Sequence, residues 1–154
     1  MVMHKTNGFS LIELMITVIV LTILSSITYA IYQNYSRERR LQAALSAMME
    51  NAQALEQHYS QRGNFKKNST TWVDLLHTQT SHFCIKMQGN PRGTNNNHQY
   101  TMKAVALDKN IEPRVLVINQ DQTVQICESS SSICDDARFF SNAARADKNC
   151  ANYR

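Results

Sequence analysis

The pattern of apolar and polar positions divides the chain into an apolar first segment and a longer remainder with mixed composition. From Phe9 to Tyr35 the residues are mostly apolar, and Glu13 is the only charged residue before Arg37. A helix of this length can cross a hydrocarbon core about 30 Å thick. A carboxylate inside such a segment is costly unless another group compensates it. The segment therefore predicts a membrane-spanning helix in which Glu13 has a specific role.

The helical spacing continues beyond the apolar segment, but it becomes one-sided. Apolar residues recur every three or four positions, which is typical of a helix that packs on a globular domain: Leu41, Leu45, Met48, Ala52, Leu55 and Tyr59. No proline or glycine interrupts residues 9–62. At about 1.5 Å per residue this predicts one helix about 80 Å long. Gly63 is placed to end it as a C-cap.

Four strand-like runs follow a polar connection over residues 63–81, which is predicted to be a loop. The runs are His82 to Gln88, Gln99 to Leu107, Arg114 to Asn119 and Thr123 to Cys127. Their short links favour an antiparallel meander over residues 82–127. The predicted fold class is α+β, with a long N-terminal helix packed on a four-stranded antiparallel sheet and a tail over residues 128–154.

The cysteines predict that the tail covers the sheet. Alternation puts Cys84 and Cys127 on the face opposite the apolar side chains, which is expected to be the solvent face. In a sheet with sequential strand order they are about three spacings of 4.8 Å apart, too far for a disulfide, whose Cα atoms are about 4.4 to 6.8 Å apart. Each therefore pairs with a tail cysteine, Cys134 or Cys150. The preferred pairing is Cys84 with Cys134 and Cys127 with Cys150, and the exchanged pairing stays open.

The cysteine count also indicates the compartment. Four cysteines in a small exported domain are typical of two disulfides formed under oxidising conditions. Zinc is the competing interpretation. The chain has no Cys-x-x-Cys pair, which argues against it.

Length and charge limit the function classes. The 154 residues allow one anchor and one small domain, with a net charge of +4. From Arg62 to Lys109 there are seven basic residues and only two acidic ones, Asp74 and Asp108. A local positive field suits a polyanionic partner, and solvated lysines on an exported domain are the alternative. The chain has no glycine-rich phosphate loop, His-Glu-x-x-His or Gly-x-Ser-x-Gly motif, so we predict a binding or structural protein that is not an enzyme and needs no cofactor.

The N-terminus resembles the prepilin signal of type IV pilins and the related pseudopilins. A short polar leader ends at Gly8, and Phe-Ser-Leu-Ile-Glu-Leu-Met follows from Phe9. An ordinary secretory signal is disfavoured, because the apolar run is too long and lacks a small-residue cleavage site.

The resemblance implies a processing and assembly route. A prepilin peptidase removes residues 1–8 by cutting between Gly8 and Phe9, whose new amino group is methylated. Residues 9–36 anchor the precursor in the inner membrane and later form the filament core, and residues 37–154 form the globular domain. The resemblance also implies that Glu13 meets the Phe9 ammonium of a neighbouring subunit, such as the major pilin, because a buried charge is tolerable when it is paired.

The tail and the four-cysteine arrangement resemble those of competence pilins, the minor pilins that act as DNA receptors in natural transformation. The resemblance implies sequence-preferring binding of double-stranded DNA outside a Gram-negative cell, through exposed loops and the tail. Basic residues in these regions supply the chemistry for phosphate and base contacts. The candidates are Lys66, Lys67, Lys86, Arg92, Lys103, Lys109, Arg138, Arg145 and Lys148.

Two further expectations concern the tail. Arg145 and Lys148 are three residues apart, which places them on one side of a short helix predicted from about Ser141 to Asp147. Phe139 and Phe140 are expected to anchor the tail on the sheet rather than to stack on bases.

The alternative functions are a structural or adhesive minor pilin without DNA binding, and a pseudopilin of a secretion system.

Overall fold

The computed structural model describes residues 9–89, 97–140 and 146–153. The chain forms two compact units, Met1–Glu38 and Arg39–Arg154. The expected boundary between anchor and globular domain, after residue 36, lies close to this division.

The first unit contains the start of helix α1 (Leu11–Arg62), which begins two residues after the predicted position. Its large apolar side chains are exposed, and α1 is long and apolar enough to cross a membrane. Hydroxyl groups of Thr17, Thr22 and Ser25 donate to carbonyls three or four residues earlier. These bonds satisfy polar groups that would otherwise be unpaired in an apolar environment. At the first turn, the Glu13 Oε2 atom accepts a hydrogen bond from the Ser10 amide at 3.0 Å.

In the second unit, the predicted apolar stripe of α1 forms the core. Leu41, Met48 and Leu55 are buried and pack with side chains of the sheet. The helix ends at Arg62, and Gly63 has a φ of +69°. Its amide donates to the Tyr59 carbonyl at 2.7 Å, as in a C-cap with a left-handed residue.

The sheet has five antiparallel strands in sequence order. They are β1 (Phe83–Gly89), β2 (Tyr100–Ala106), β3 (Val115–Asn119), β4 (Val124–Ser130) and β5 (Asp147–Asn152). The α+β class and the antiparallel meander are confirmed, whereas the count of four strands is wrong. The fifth strand comes from the tail and has no apolar alternation. It is held by pairing with β4, with Cys127 directly opposite Cys150.

The tail also contains a short helix, α2 (Asp136–Phe139), capped by Asp135, whose side chain accepts from the Ala137 amide. The helix predicted from about Ser141 to Asp147 falls mostly on residues 141–145, which lie outside the described residues. Its C-terminal end is wrong, because Asp147 begins β5. Lys148 is therefore a strand residue, paired with Ser129.

Candidate nucleic-acid interface

The outer face of the sheet, opposite α1, is covered by the tail. Cys84, Val105, Val115, Cys127 and Phe139 form a second apolar cluster there. The expectation that Cys84 and Cys127 face solvent is wrong, because they lie on the predicted face but underneath the tail. Phe139 is fully buried, as expected for an anchor.

Two disulfides fasten the tail to the sheet. One joins Cys84 of β1 to Cys134, and the other joins Cys127 of β4 to Cys150 of β5. This is the preferred pairing of the sequence analysis. The first bond lies beside α2 and the second lies within the last strand pair, so the tail is fixed near both of its ends.

Lys103 does not belong to an accessible basic surface, and that prediction is wrong. Its side chain is only 1% exposed, and its Nζ atom lies 2.6 Å from Asp147 Oδ2. It also donates to Ser132 Oγ at 3.0 Å. Lys103 points to the predicted outer face, opposite Lys86 in the β1–β2 register. The tail covers it there, so it cannot reach a phosphate.

Lys86 lies at the border between the sheet and the tail. Its Nζ atom donates to the carboxylate of Asp136 and, at 3.0 Å, to the carbonyl oxygen of Cys134. It is also 5.1 Å from the centroid of the Phe139 ring. The side chain remains 29% exposed, so Lys86 both holds α2 and presents part of its charge to solvent.

Lys109 lies at the opposite end of the sheet from Lys66 and Lys67. Its Nζ atom donates to the carbonyl of Ser130, at the end of β4, with a distance of 2.9 Å. Burial lowers the pKa of Lys109, and the nearby Asp147 partly opposes this change. Because the ends of β1 and β4 point in opposite directions, Lys109 does not share a patch with Lys66 and Lys67. The expected single basic surface from Lys66 to Lys109 is therefore wrong.

Lys66 and Lys67 form a basic pair beside the end of β1, in which Lys67 is exposed and Lys66 is partly buried. Lys66 Nζ lies 5.6 Å from the centroid of the Trp72 ring and donates to the Ser69 carbonyl at 3.3 Å. Lys67 Nζ lies 2.7 Å from Asp74 Oδ2, and both side chains are largely exposed. The hydrogen bond from Lys67 to Asp74 raises the pKa of Lys67.

The Trp72 ring is held against the backbone at the end of β1. A Cβ atom added to Gly89 would lie 1.9 Å from Trp72 Cε2, so only glycine allows this approach. Trp72 is also bridged to Lys66 by backbone pairing. The aromatic ring and the basic pair are thus fixed together on one side of β1.

A groove of about 580 Å³ runs between residues 72–79 and β1. Its walls include Trp72, Leu75, Lys86, Met87 and Cys134. Lys66 and Lys67 lie beside its Trp72 end, and Lys86 lines it next to the tail. We refer to this groove with Lys66, Lys67 and Lys86 as the basic groove. It combines separated cations with an aromatic ring, which is a chemistry suited to nucleic acid.

The remaining candidates are distributed around the tail. Arg138 on α2 is exposed, with its Nε atom 3.6 Å from Asp135 Oδ2. Lys148 is exposed on β5. Arg92 and Arg145 lie outside the described residues, as does Gly8, whereas Phe9 is described and exposed. Within the described part of the chain, no three His, Cys, Asp or Glu side chains are grouped so that they could hold a metal ion.

Sequence reasoning missed the second layer on the outer face, although a signal was present. Val105, Val115 and Val117 alternate with the core residues of β2 and β3, so apolar side chains point to both faces of the sheet. A sheet with two apolar faces is covered on both sides. That pattern indicates that outward residues such as Lys103 are buried as well.

The long apolar helix, the antiparallel sheet and the N-terminal signal define a type IV pilin. Residues 3–29 match the prokaryotic N-terminal methylation motif. Residues 30–128 match the family described as type IV minor pilin ComP, DNA uptake sequence receptor, and the chain belongs to this family. Membership implies association with other pilus subunits, and the methylation motif implies processing by prepilin peptidase. A membrane-anchored precursor that later enters a pilus is consistent with both matches.

The chain is also similar to three individual proteins. The solution structure of the minor DNA-uptake pilin ComP from Neisseria subflava is 36% identical, covers 74% of this chain and 95% of its own, and has a TM-score of 0.55. ComP from Neisseria meningitidis is 34% identical over 72% of this chain and 91% of its own, with a TM-score of 0.47. Fimbrial protein EcpC from Eikenella corrodens is 24% identical over 94% of both chains.

Proposed function

We propose that this chain is a DNA receptor of a type IV pilus, which binds extracellular double-stranded DNA with sequence preference for uptake in natural transformation. The observation that carries the proposal is the basic groove, in which lysines that are at least partly exposed lie beside an aromatic ring and next to the fastened tail. Family membership supports the same conclusion, since the family is described as a DNA uptake sequence receptor.

Lys66 and Lys67 are the proposed phosphate contacts. The ion pair between Lys67 and Asp74 is exposed, and such pairs contribute only about 0 to 1 kcal/mol. A phosphate can therefore replace Asp74 at little cost. Each phosphate neutralised releases counterions and contributes about 0.9 to the slope of log affinity against log salt concentration.

The tail is the proposed source of sequence preference. Arg138 is exposed, and its contact with Asp135 is long at 3.6 Å, so its guanidinium is available to a base edge in a groove of DNA. Lys148, which is exposed on β5, is a further proposed DNA contact, as are Arg92 and Arg145, which lie outside the described residues. The two disulfides limit the freedom of the tail before binding, which lowers the entropy lost when DNA contacts form.

The anchor segment is proposed to deliver this domain to the filament. Cleavage between Gly8 and Phe9 at the inner membrane of a Gram-negative cell exposes the Phe9 ammonium. Glu13 accepts one hydrogen bond, from Ser10, and a carboxylate has further acceptor sites. Glu13 therefore retains the capacity to pair with Phe9 of a neighbouring subunit.

Binding of two duplexes tests the proposed function. The full chain in a neutral detergent is titrated with a duplex enriched from a random library on this protein and with a shuffled version of it. We expect tighter binding of the enriched duplex and a steep salt dependence. The variant Lys66→Met/Lys67→Met should reduce the log-log salt slope by about 1.8, which corresponds to two phosphate contacts.

The matched control is Arg37→Gln/Arg39→Gln, which removes the same charge from exposed residues of α1 that do not line the groove. Its salt slope should equal that of the wild type. Absence of binding at low salt overturns the DNA proposal and leaves a structural or adhesive minor pilin. Equal effects of both variants show that net charge, rather than the basic groove, determines binding.

A further inference from the structure

The segment between β4 and β5, residues 131–146, is joined at its base by a buried ion pair. We call this segment the tail loop. We propose that Lys103 is a positioning residue for DNA recognition, which holds the start of the tail loop and α2 against the first residue of β5, so that Arg138 has one position before DNA binds. This inference rests on the proposed function.

Lys103 contacts the start of the tail loop and the first residue of β5, which follows the loop. Its Nζ atom donates to Ser132 Oγ at 3.0 Å, near the start of the loop. It lies 2.6 Å from Asp147 Oδ2, directly after the loop. The side chain of Lys103 is 1% exposed and that of Asp147 is 10% exposed. One buried ammonium therefore links two parts of the chain that are separated by 14 residues in sequence.

The contacts around Lys103 also hold the end of β4 and the start of the tail loop against the start of β5. The Ser131 amide donates to the Ala146 carbonyl at 3.0 Å. The Ser130 hydroxyl donates to Asp147 Oδ1, so both carboxylate oxygens are used. The Phe140 ring centroid lies 5.7 Å from Lys103 Nζ, which adds a contact to the residue after α2. Lys103 thus contacts the start of the tail loop, the residue after α2 and the first residue of β5.

The Cys127–Cys150 disulfide already fixes the register of β5 against β4. Lys103 adds a contact that the disulfide does not make, because it joins Ser132 to Asp147 of β5. If Ser132 or Asp147 moved away, the buried ammonium would lose a partner, and a buried charge without its counter-charge is strongly unfavourable. The start of the tail loop therefore keeps its position relative to β5, and this constrains α2 and Arg138, which follow it.

The test compares Lys103→Met with Lys66→Met, which removes one partly exposed cation from the basic groove. Hydrogen exchange and DNA titration are measured on the full chain in neutral detergent. For Lys103→Met we expect exchange at least about tenfold faster in the described part of the tail loop and in β5, with α1 unchanged. Affinity for the enriched duplex should fall about tenfold, towards that of the shuffled duplex.

The salt slope distinguishes positioning from contact. Lys103→Met should keep the wild-type slope, because Lys103 neutralises no phosphate, whereas Lys66→Met should lose about 0.9 and keep normal exchange. Asp147→Asn, which preserves the size of the side chain, should reproduce the pattern more weakly, and Lys103→Arg should restore selectivity in part. If Lys103→Met does not fold, these two variants decide the question.

A fall in slope for Lys103→Met, or unchanged exchange in the tail loop, overturns the positioning role. Faster exchange in α1 as well shows a general loss of stability and also overturns it. If the wild type does not discriminate between the duplexes, the proposed function is wrong. The exchange data would still show whether Lys103 holds the tail loop.

Discussion

The two faces of the sheet are stabilised in different ways. Among the described residues, the face towards α1 contributes to a cluster of fourteen buried apolar residues. The outer face has a buried cluster of only five, two of which are cysteines. Both disulfides and the Lys103–Asp147 pair lie on that outer face. A layer too small to be held by apolar area alone is held by a few specific bonds, so it should respond to different perturbations.

Removal of both disulfides should have the largest effect and should act on the outer face. Disulfides in small exported domains contribute about 2 to 5 kcal/mol each. In the variant with Cys84, Cys134, Cys127 and Cys150 replaced by serine, we expect the tail and β5 to lose protection first. Hydrogen exchange measured at increasing urea concentrations shows which elements lose protection first. A single transition in which both faces unfold together would contradict the comparison, and the variant with only Cys127 and Cys150 replaced is the intermediate case.

Leu55→Ala should destabilise the face towards α1 without releasing the tail. Leu55 is buried in the large cluster, and such truncations cost about 2 to 5 kcal/mol. The free energy of unfolding should fall in one cooperative transition. The control is Leu76→Ala, because Leu76 is 66% exposed and should change stability by less than about 0.5 kcal/mol. Selective exposure of the tail in Leu55→Ala would show that the two faces are not independent.

Gly89→Ala should affect the edge of the sheet at the basic groove. The added Cβ meets the Trp72 ring at 1.9 Å, so the ring must move, at a cost of about 1 to 3 kcal/mol. The fluorescence of Trp72, the only tryptophan, should shift. The control is Gly63→Ala, where no atom lies within 4 Å of the new Cβ. That change strains the positive φ but should leave the fluorescence unchanged.

Alkaline pH should have the smallest effect on the free energy of unfolding. The contributions of Tyr100, in the large cluster, and of Lys109, beside the tail, should change in opposite directions. Burial raises the pKa of Tyr100, in the large cluster, above its ordinary value of 10.0. The unfolded chain loses this proton first, so the contribution of Tyr100 to stability falls as pH rises above 10. Burial lowers the pKa of Lys109 below 10.5. The unfolded chain then binds more protons than the folded chain just below pH 10.5, and this contribution to stability rises with pH.

Tyr100→Phe tests the first of these contributions. The Tyr100 hydroxyl is buried and has no hydrogen-bond partner among the described residues. The variant should therefore match wild-type stability at pH 7 within about 1 kcal/mol. It should also remove the decline above pH 10, measured by urea unfolding at several pH values. A decline of the same size in both proteins would contradict the assignment to Tyr100.

The sequence predicts well the elements whose apolar pattern is long. Helix α1 and the first four strands follow from spacings of three to four residues and of two. Strand β5 cannot be predicted in this way, because its sequence Asp-Lys-Asn-Cys-Ala-Asn has no alternation of apolar and polar residues. It becomes a strand through pairing with β4. Lys103 is misassigned for a related reason, since its direction follows from the pattern but its cover comes from residues more than 25 positions later. Lys67 is exposed as predicted, Lys66 is only partly exposed, and the contact of both residues with DNA stays a prediction.

The disulfide positions also determine how the domain carries force. A ligand attached to the tail loop and pulled would load the chain between Cys134 and Cys150. Both ends of that stretch are bonded covalently to strands, to β1 at Cys84 and to β4 at Cys127. Tension then passes through sulfur–sulfur bonds into two strands at once. Strand β5 is not peeled from the sheet one hydrogen bond at a time, and the load is shared across the domain.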